Sequence, residues 1–525
     1  MGRRERKRAC GRSLALLVSL SVAVPVHRPA CAAEVVLHRD RYASSGGQSF
    51  KNLVRDARGT LYCVSVREAD EGRRELIVQR STDGGAAWED ATFVLNDESS
   101  GLVPPDATNS SAVAIDDRGV LHVTWGNYYY PSSYHQLYRN WDPATGAASE
   151  IFDISAWTGA ARTSRTAAMD IAVDQDGIVW IVAHGPQSWV ERLARSAAPY
   201  AEGLEFVDLG AISPSASAQT TRIAIDDRGR VHCSFYRNTG AGQYEHRIFD
   251  PETGWGPSTN LGNVAAPNDI WGVLASDALG HVHVLFIQDG TDTSPLWRFL
   301  YRRWDEEAGW GSPVTLMDVP PEGRTGIADT HVISLGCDES TGEVTVLYRD
   351  LVRGGALGIV RKALDEEAFG EFIEVAPATS ASHAYHGPSI RGRLYPEFDR
   401  TAHGLHATWQ YRAQSGSPPY DLVFAALGGS EPLPPKFRRA DADGDGKLNI
   451  SDAIFTLSAL FLGGAGPECL DAADSNDDGL LNLTDGVYTL NALFLGGPMP
   501  PPPGAEACGA DPTTDDLGCE RYASC

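Results

Sequence analysis

Seven times between Leu53 and Trp409 the chain repeats one short phrase: an apolar pair, an aspartate, a glycine a few residues on, then apolar residues at alternate positions. The copies read LVRDARGTLYCV from Leu53, AIDDRGVLHVTW from Ala114, AVDQDGIVWIVA from Ala172 and AIDDRGRVHCSF from Ala224. ASDALGHVHVLF from Ala275, LGCDESTGEVTVLY from Leu335 and, more loosely, PEFDRTAHGLHATW from Pro396 complete the set. Period-two alternation marks strands, the Asp side chain can bond the turn backbone, and the Gly supplies a positive φ, so each phrase is a hairpin. Five hairpins are followed by a charged turn running into an aromatic residue or Gly and a further strand: RSTDGGAAWED, RNWDPATGAAS, FDPETGWGPST, RWDEEAGWGSP and ALDEEAFGEFI. Units of about four strands at a spacing of roughly 45–60 residues predict a propeller. The expected fold is therefore mainly β, with seven blades fitting best and six the alternative count. AEVVLH, from Ala33, is available to complete the last blade.

Ser81, Asp83, Gly85 and Trp88 match the Ser-x-Asp-x-Gly-x-x-Trp box of sialidase-like (BNR, or Asp-box) propeller proteins, and Trp255 and Trp310 stand where eroded copies would keep their aromatic. The resemblance covers most of residues 34–428. It implies a fold, since such boxes lie on outer turns and are shared by enzymes and non-enzymes. The Arg-Ile-Pro stretch that sialidases carry near their start is absent, which argues against a true sialidase.

The chain has 525 residues and 42% hydrophobic content, enough for a large core and a second small domain. Arg3, Arg4, Arg6, Lys7 and Arg8 precede an apolar run from Leu14 to Val24, then Ala30, Ala32 and Ala33; residues 1–33 read as a secretory leader. No later run is long enough to span a bilayer, so the expected location is secreted, extracellular or at the cell surface. A net charge of −25 without a basic stripe sets the chain against nucleic acid and anionic membrane. Four of nine cysteines, Cys469, Cys508, Cys519 and Cys525, crowd the end and can form two bridges in an oxidising compartment, with the pairing open.

After a Pro-rich linker, 429–436, two copies of one segment follow: DADGDGKLNISDAIFTLSALFLGG from Asp441 and DSNDDGLLNLTDGVYTLNALFLGG from Asp474. Each opens with a twelve-residue loop carrying oxygen donors at positions 1, 3, 5, 7, 9 and 12, the pattern of a hard, six-to-eight-coordinate Ca²⁺. In the first these are Asp441, Asp443, Asp445, the Lys447 carbonyl, Asn449 and Asp452. In the second they are Asp474, Asn476, Asp478, the Leu480 carbonyl, Asn482 and Asp485. Two calcium sites are expected. Ile454, Leu457, Leu460 and Phe461, repeated as Val487, Leu490, Leu493 and Phe494, predict one apolar face on the helix after each loop. Pro432, Pro434 and Pro435 leave little room for a helix ahead of the first loop, as an EF-hand would need.

This duplicated loop-plus-helix, residues 437–497, resembles a type I dockerin, with 498–525 a Pro- and Cys-rich tail. The resemblance implies a cohesin-like module or other surface protein as partner, in systems that degrade polysaccharide. Ile450 with Ser451, and Leu483 with Thr484, depart from the paired hydroxyls of cellulosomal dockerins, which leaves the partner open.

His122, His232, His283 and His406 recur just after the turn in four blades, and Cys63 and Cys233 follow the same rule. Such positions are packing positions, too far apart around a ring to share an ion. A ligand is better sought where segments enter the innermost strands: Asn109, Arg165, Gln219, Arg222, Asn268, Asp269, Trp271, His331, Tyr385, His386 and Arg391. Amide, guanidinium, imidazole and indole groups suit a sugar. Within HAYHGPSIRGRLY, Tyr385, His386 and Arg391 have the residue types that some propeller polysaccharide lyases use for proton abstraction and carboxylate neutralisation. A glycoside hydrolase or lyase and a non-catalytic, lectin-like or adhesive propeller both remain compatible with these residues; a purely structural envelope role is weaker.

Overall fold

The computed structural model describes residues 35–522 apart from 41–50, 57, 69–73, 97–105, 130–132, 160–169, 186–189, 215–217, 238–241, 264–271, 278, 289–296, 320–332, 339–341, 351, 353–355, 377–384, 392–405, 413–419, 427–436, 465, 468, 507, 510–512, 514–516, 518 and 520–521. For 38, 40, 106–110, 127–129, 133–134, 184, 219, 297, 385–391, 409–412 and 420 it describes the backbone alone. The expected leader and linker, and Arg165, Asn268, Asp269, Trp271 and His331, lie outside the described residues.

Each repeated phrase whose turn is described forms the expected hairpin. In the first, Asp56 Oδ1 accepts the N–H groups of Arg58 and Thr60 at 3.0 and 2.9 Å, and the Gly59 N–H reaches the Asp56 carbonyl at 3.0 Å. Asp116, Asp174, Asp226 and Asp277 repeat these bonds. The turn glycines sit at positive φ, from 74° at Gly229 to 86° at Gly280. A side chain on any of them would strain the turn.

Two further strands complete each unit. The first blade runs Leu53–Arg55, Leu61–Glu68, Arg74–Ser81 and Phe93–Val94. The second is Asp106–Ile115, Leu121–Tyr129, Ser133–Trp141 and Phe152–Asp153. The third is Ile171–Val173, Val179–His184, Glu191–Ser196 and Phe206–Ala211. The fourth, fifth and sixth begin with Ala218–Ile225, Gly272–Ser276 and Ile333–Cys337 and follow the same antiparallel order. The seventh takes Tyr385–Arg391, His406–Arg412 and Tyr420–Ala426 from the end of the repeat region and its outer strand, Val35–Asp40, from the start.

Two observations fix the count at seven and exclude six. The innermost strands touch in a closed ring, each against the next and the seventh against the first. Seven apolar clusters also fill the seven junctions between neighbouring blades, from Val64, Val78, Val123 and Trp125 between the first and second to Leu37, Leu53, Leu61 and Phe424 between the seventh and first. Burial of these faces is the main force closing the ring.

The boxed turn Ser81–Trp88 is folded tightly on an outer edge. Ser81 Oγ donates to Asp83 Oδ1 at 2.8 Å and accepts from the Gly85 N–H at 2.9 Å, and the Trp88 indole N–H reaches the Gly85 carbonyl at 3.1 Å. The Trp88 ring then meets Phe424 of the seventh blade edge-on at 5.0 Å. The box is thus a joint between blades.

Beyond the propeller are two helices of twelve residues, Ile450–Phe461 and Leu483–Phe494, packed on each other, and a short helix Leu470–Ala473. The expected apolar face of each long helix is only partly packed: Leu457, Leu460, Leu490 and Leu493 are half-buried. Ala453 and Thr456 of the first, and Gly486 and Thr489 of the second, are buried, whereas Ile454, Phe461, Val487 and Phe494 are 52–62% exposed. Gly486 lets the helices meet at Leu457: a Cβ on Gly486 would lie 2.8 Å from Leu457 Cγ, so the leucine fills the space that the glycine leaves.

Candidate functional site

Each tail loop runs directly into its helix, because the twelfth residue serves loop and helix together. Asn449 caps the first helix through Ser451 N–H at 2.8 Å, and Asp452 Oδ2 returns a bond to the Asn449 N–H at 2.8 Å, a capping box. Asn482 and Asp485 repeat it. Inside each loop the carboxylates also brace the backbone: Gly446 N–H donates to Asp441 and Gly479 N–H to Asp474, at 2.8 and 2.9 Å. Lys447 and Leu480 donate to Asp445 and Asp478 in the same register.

The first loop gathers charge. One carboxylate oxygen from each of Asp441, Asp443 and Asp452 lies within 4.8 Å of the others. A Ca²⁺ ion with oxygen ligands at about 2.3–2.6 Å fits such a cradle. Asp441 is 1% exposed, and its Oδ1 has no hydrogen-bond partner among the described residues. A buried carboxylate oxygen left alone costs free energy unless something charged meets it. Burial and the neighbouring carboxylates raise Asp441 above the usual range and push Asp452 up to about 7; burial and Asp474 push Asp485 to about 7. These residues fit a hard cation, which would supply the missing counter-charge.

Asp445 is not part of that three-carboxylate group, and no comparable group forms in the second loop among the described residues. There Asn476 Nδ2 donates to Asp478 Oδ2 at 2.9 Å. The carbonyls of Lys447 and Leu480 face the side-chain amides of Asn449 and Asn482 at 3.4 and 3.0 Å.

Sequence reasoning missed the residues that hold this module together. Arg439 is fully buried, donating to the carbonyls of Pro502, Asp471 and Asp474 and pairing with Asp477 at 3.0 Å. The Pro- and Cys-rich segment is joined to the module: Phe437 and Gly509 exchange backbone bonds, and Cys469 is bridged to Cys519. Cys508 is disulfide-bonded as well. An arginine beside an acidic loop was the only visible signal.

In the propeller, Tyr385 and His386 begin the innermost strand of the seventh blade, opposite Tyr411 and Gln410, while Arg391 ends it opposite His406. At about 3.3 Å per residue the strand separates Arg391 from Tyr385 by about 20 Å, so its backbone does not gather the three at one end. Asn109 and Gln219 lie on innermost strands at the same end as Tyr385. A β-bulge interrupts that end in three blades, between Ala107 and Ser111, Gln219 and Arg222, and His386 and Ser389. Bulges of this kind re-aim side chains.

The fourth-blade bulge is propped from the third blade. Glu191 is buried, and its two carboxylate oxygens accept the Thr220 and Thr221 N–H groups at 3.1 and 2.9 Å. Burial pushes its carboxyl up to about 7. Arg222 is buried beside it. Nearer the axis, Lys51 Nζ pairs with Asp170 at 2.6 Å and donates to the carbonyls of Ile171 and Ile223, while the Lys51 carbonyl accepts from Val113; four blades are tied through one residue.

Three of the repeated histidines have the expected packing role. His122 and His283 lie between their own turn aspartate and a tyrosine hydroxyl, at 3.2 and 2.7 Å and at 3.1 and 2.8 Å. His232 belongs to a chain whose tautomers are set by its ends. The Trp310 N–H donates to His246 Nδ1, so His246 Nε2–H donates to His232 Nδ1, and His232 Nε2–H to Asp226. Burial holds both imidazoles neutral. His406 is buried too. Cys63 and Cys233 are fully buried with thiols pushed up by burial, as small hydrophobes would be.

No protein-family model and no curated protein matches the chain. Among solved structures it is similar to an ulvan lyase of polysaccharide lyase family PL25 bound to -[GlcA(1-4)Rha3S]-, at 10% identity, covering 75% of this chain and 97% of that one with a TM-score of 0.44. It is also similar to the Hadza microbial sialidase Hz136, at 14% identity and TM-score 0.39, over 60% of this chain and 65% of that one. A third similarity is to AofleA from Arthrobotrys oligospora, at 9% identity and TM-score 0.38, covering 66% and 91%. Likenesses this distant leave the activity of the chain to be argued from its own residues. Among the described residues no helix is long and apolar enough to cross a membrane.

Proposed function

We propose that the chain is a secreted, calcium-organised docking protein whose propeller is delivered to extracellular polysaccharide, where it binds or cleaves glycan. The observation that carries this reading is the first tail loop, where Asp441, Asp443 and Asp452 bring their carboxylates together and the buried Asp441 Oδ1 has no hydrogen-bond partner among the described residues. Two such loops, each feeding a helix, would be set in place by two Ca²⁺ ions. Asp441, Asp443, Asp445, Asn449 and Asp452 with the Lys447 carbonyl would hold one, and Asp474, Asn476, Asp478, Asn482 and Asp485 with the Leu480 carbonyl the other. The ion supplies counter-charge, so its binding energy becomes folding energy.

The paired helices support the docking part of the reading. Ile450, Ile454, Phe461 and Leu462 are matched position by position by Leu483, Val487, Phe494 and Leu495, and all eight are 49–82% exposed. Matched apolar patches on a module otherwise rimmed by polar groups are what a protein partner covers. Dockerin-like organisation makes a cohesin-type module the partner of choice.

For the propeller, the polar and aromatic residues at the starts of the innermost strands favour a sugar ligand. Tyr385 and His386 are the first residues to test. Two arms test the whole reading with the intact chain. Retention on immobilised cohesin modules should require Ca²⁺ and be lost with Ile454→Asp plus Val487→Asp. Incubation with a panel of acidic and neutral polysaccharides should show binding, with or without released ends, that His386→Ala removes. Retention in excess chelator, or no interaction with any polysaccharide, would count against the corresponding half.

A further inference from the structure

The C-terminal segment turns back over the first calcium loop. Its path is pinned by the Phe437–Gly509 backbone pair, by the Arg439 N–H on the Gly504 carbonyl at 2.9 Å, by Thr513 Oγ1 on Asp477 at 2.7 Å, and by the Cys469–Cys519 bridge. Three residues past that bridge, the Tyr522 ring packs with Phe437, Cys469 and Ala472, and its hydroxyl donates to Asp441 Oδ2. The same oxygen accepts the Gly446 N–H. Both donors therefore hold one oxygen of Asp441, and the other, Oδ1, is the buried atom without a partner. In the second loop Asp474 takes its bonds from the Gly479 and Asp478 N–H groups of its own loop, at 2.9 and 3.3 Å. The two sites are alike in sequence and unlike in support.

We propose that Tyr522, held over the loop by the Cys469–Cys519 bridge, is a positioning residue of the first calcium site: its hydroxyl fixes Asp441 through Oδ2 and so presents Oδ1 to the cation. This rests on the reading that the first loop binds Ca²⁺. Partners that orient a ligand carboxylate typically contribute about 10- to 100-fold in metal affinity. The first site then depends on a segment that lies seventy residues beyond its loop, and the second does not.

Calorimetric titration of the full chain with Ca²⁺ separates the sites. Asp474→Ala leaves the first site to be read and Asp441→Ala the second. Adding Tyr522→Phe, which removes only the hydroxyl, should weaken the first site about tenfold and leave the second unchanged. Cys469→Ser with Cys519→Ser should weaken the first site likewise. Terbium gives a second readout: light absorbed by Tyr522 should sensitise emission from the ion in the first site, and Tyr522→Phe should abolish that signal at saturating terbium. Equal or higher affinity of the first site in Tyr522→Phe would overturn the proposal, the increase being what a competing phenol would give. Equal loss at both sites would overturn it too, since that is general damage to the module. If Asp474→Ala binds no Ca²⁺ even with Tyr522 intact, the calcium reading of the first loop fails, a result distinct from these.

Discussion

Gly85 shows how little room the blade junctions leave. It sits at φ +94°, and a Cβ there would fall 2.0 Å from Cε1 of Phe424 across the junction of the first and seventh blades. Gly85→Ala should destabilise the propeller by about 2–4 kcal/mol, from backbone strain and overpacking together, read by chemical denaturation. A loss below 0.5 kcal/mol, an order-of-magnitude bound for a neutral surface change, would mean that the Trp88 joint is loose. Glu191 makes a different claim. Its carboxyl is raised from 4.5 to about 7, so the folded state holds a proton that the unfolded state has released. Stability from this group is full below pH 4.5 and is lost as pH rises through 7, by about 3 kcal/mol. Denaturation of the wild type and Glu191→Gln at pH 4.5, 6 and 8 checks the sign: the variant should lose that slope. Parallel curves would show that folding does not raise the Glu191 carboxyl.

At the scale of elements, the hairpins were legible because Asp, Gly and alternation are local signals, and all the information needed for such a turn lies within a few residues. The closing strand was legible for a related reason: Val35–Asp40 opens with the apolar run Val35–Leu37, and a ring needs a partner for its last blade. There Arg39 pairs with Asp421 on the neighbouring strand. Deleting residues 35–40 should leave the edge Tyr420–Ala426 unpaired, lower the unfolding midpoint and promote aggregation, measured by thermal scattering. An unchanged midpoint would exclude this closure. The tail helices were legible in extent but not in orientation. Periodicity finds an apolar stripe without saying what covers it, and here Leu457 packs on Gly486 while Ile454 and Val487 face out. Lys51, Asp170, Glu191 and Tyr522 were not legible at all, because each acts through partners far away in sequence.

The whole molecule combines two kinds of stability. The propeller is held by seven apolar junctions, the tail by a small cluster around Phe437, Cys469 and Ala472 together with a bridge and the acidic loops. Among the described residues no apolar cluster includes residues of both. Two calorimetric transitions are therefore expected, with only the tail transition rising on adding Ca²⁺. A single transition that moves as one with Ca²⁺ would show the two parts to be coupled. The central claim, that the duplicated loops are calcium sites, is tested most directly by equilibrium dialysis of the full chain against ⁴⁵Ca. The account predicts about two ions bound per chain, one on replacing Asp441 with Ala, and none when Asp474 is replaced as well. The same uptake in the doubly substituted chain as in the wild type, or no uptake by the wild type, would contradict it.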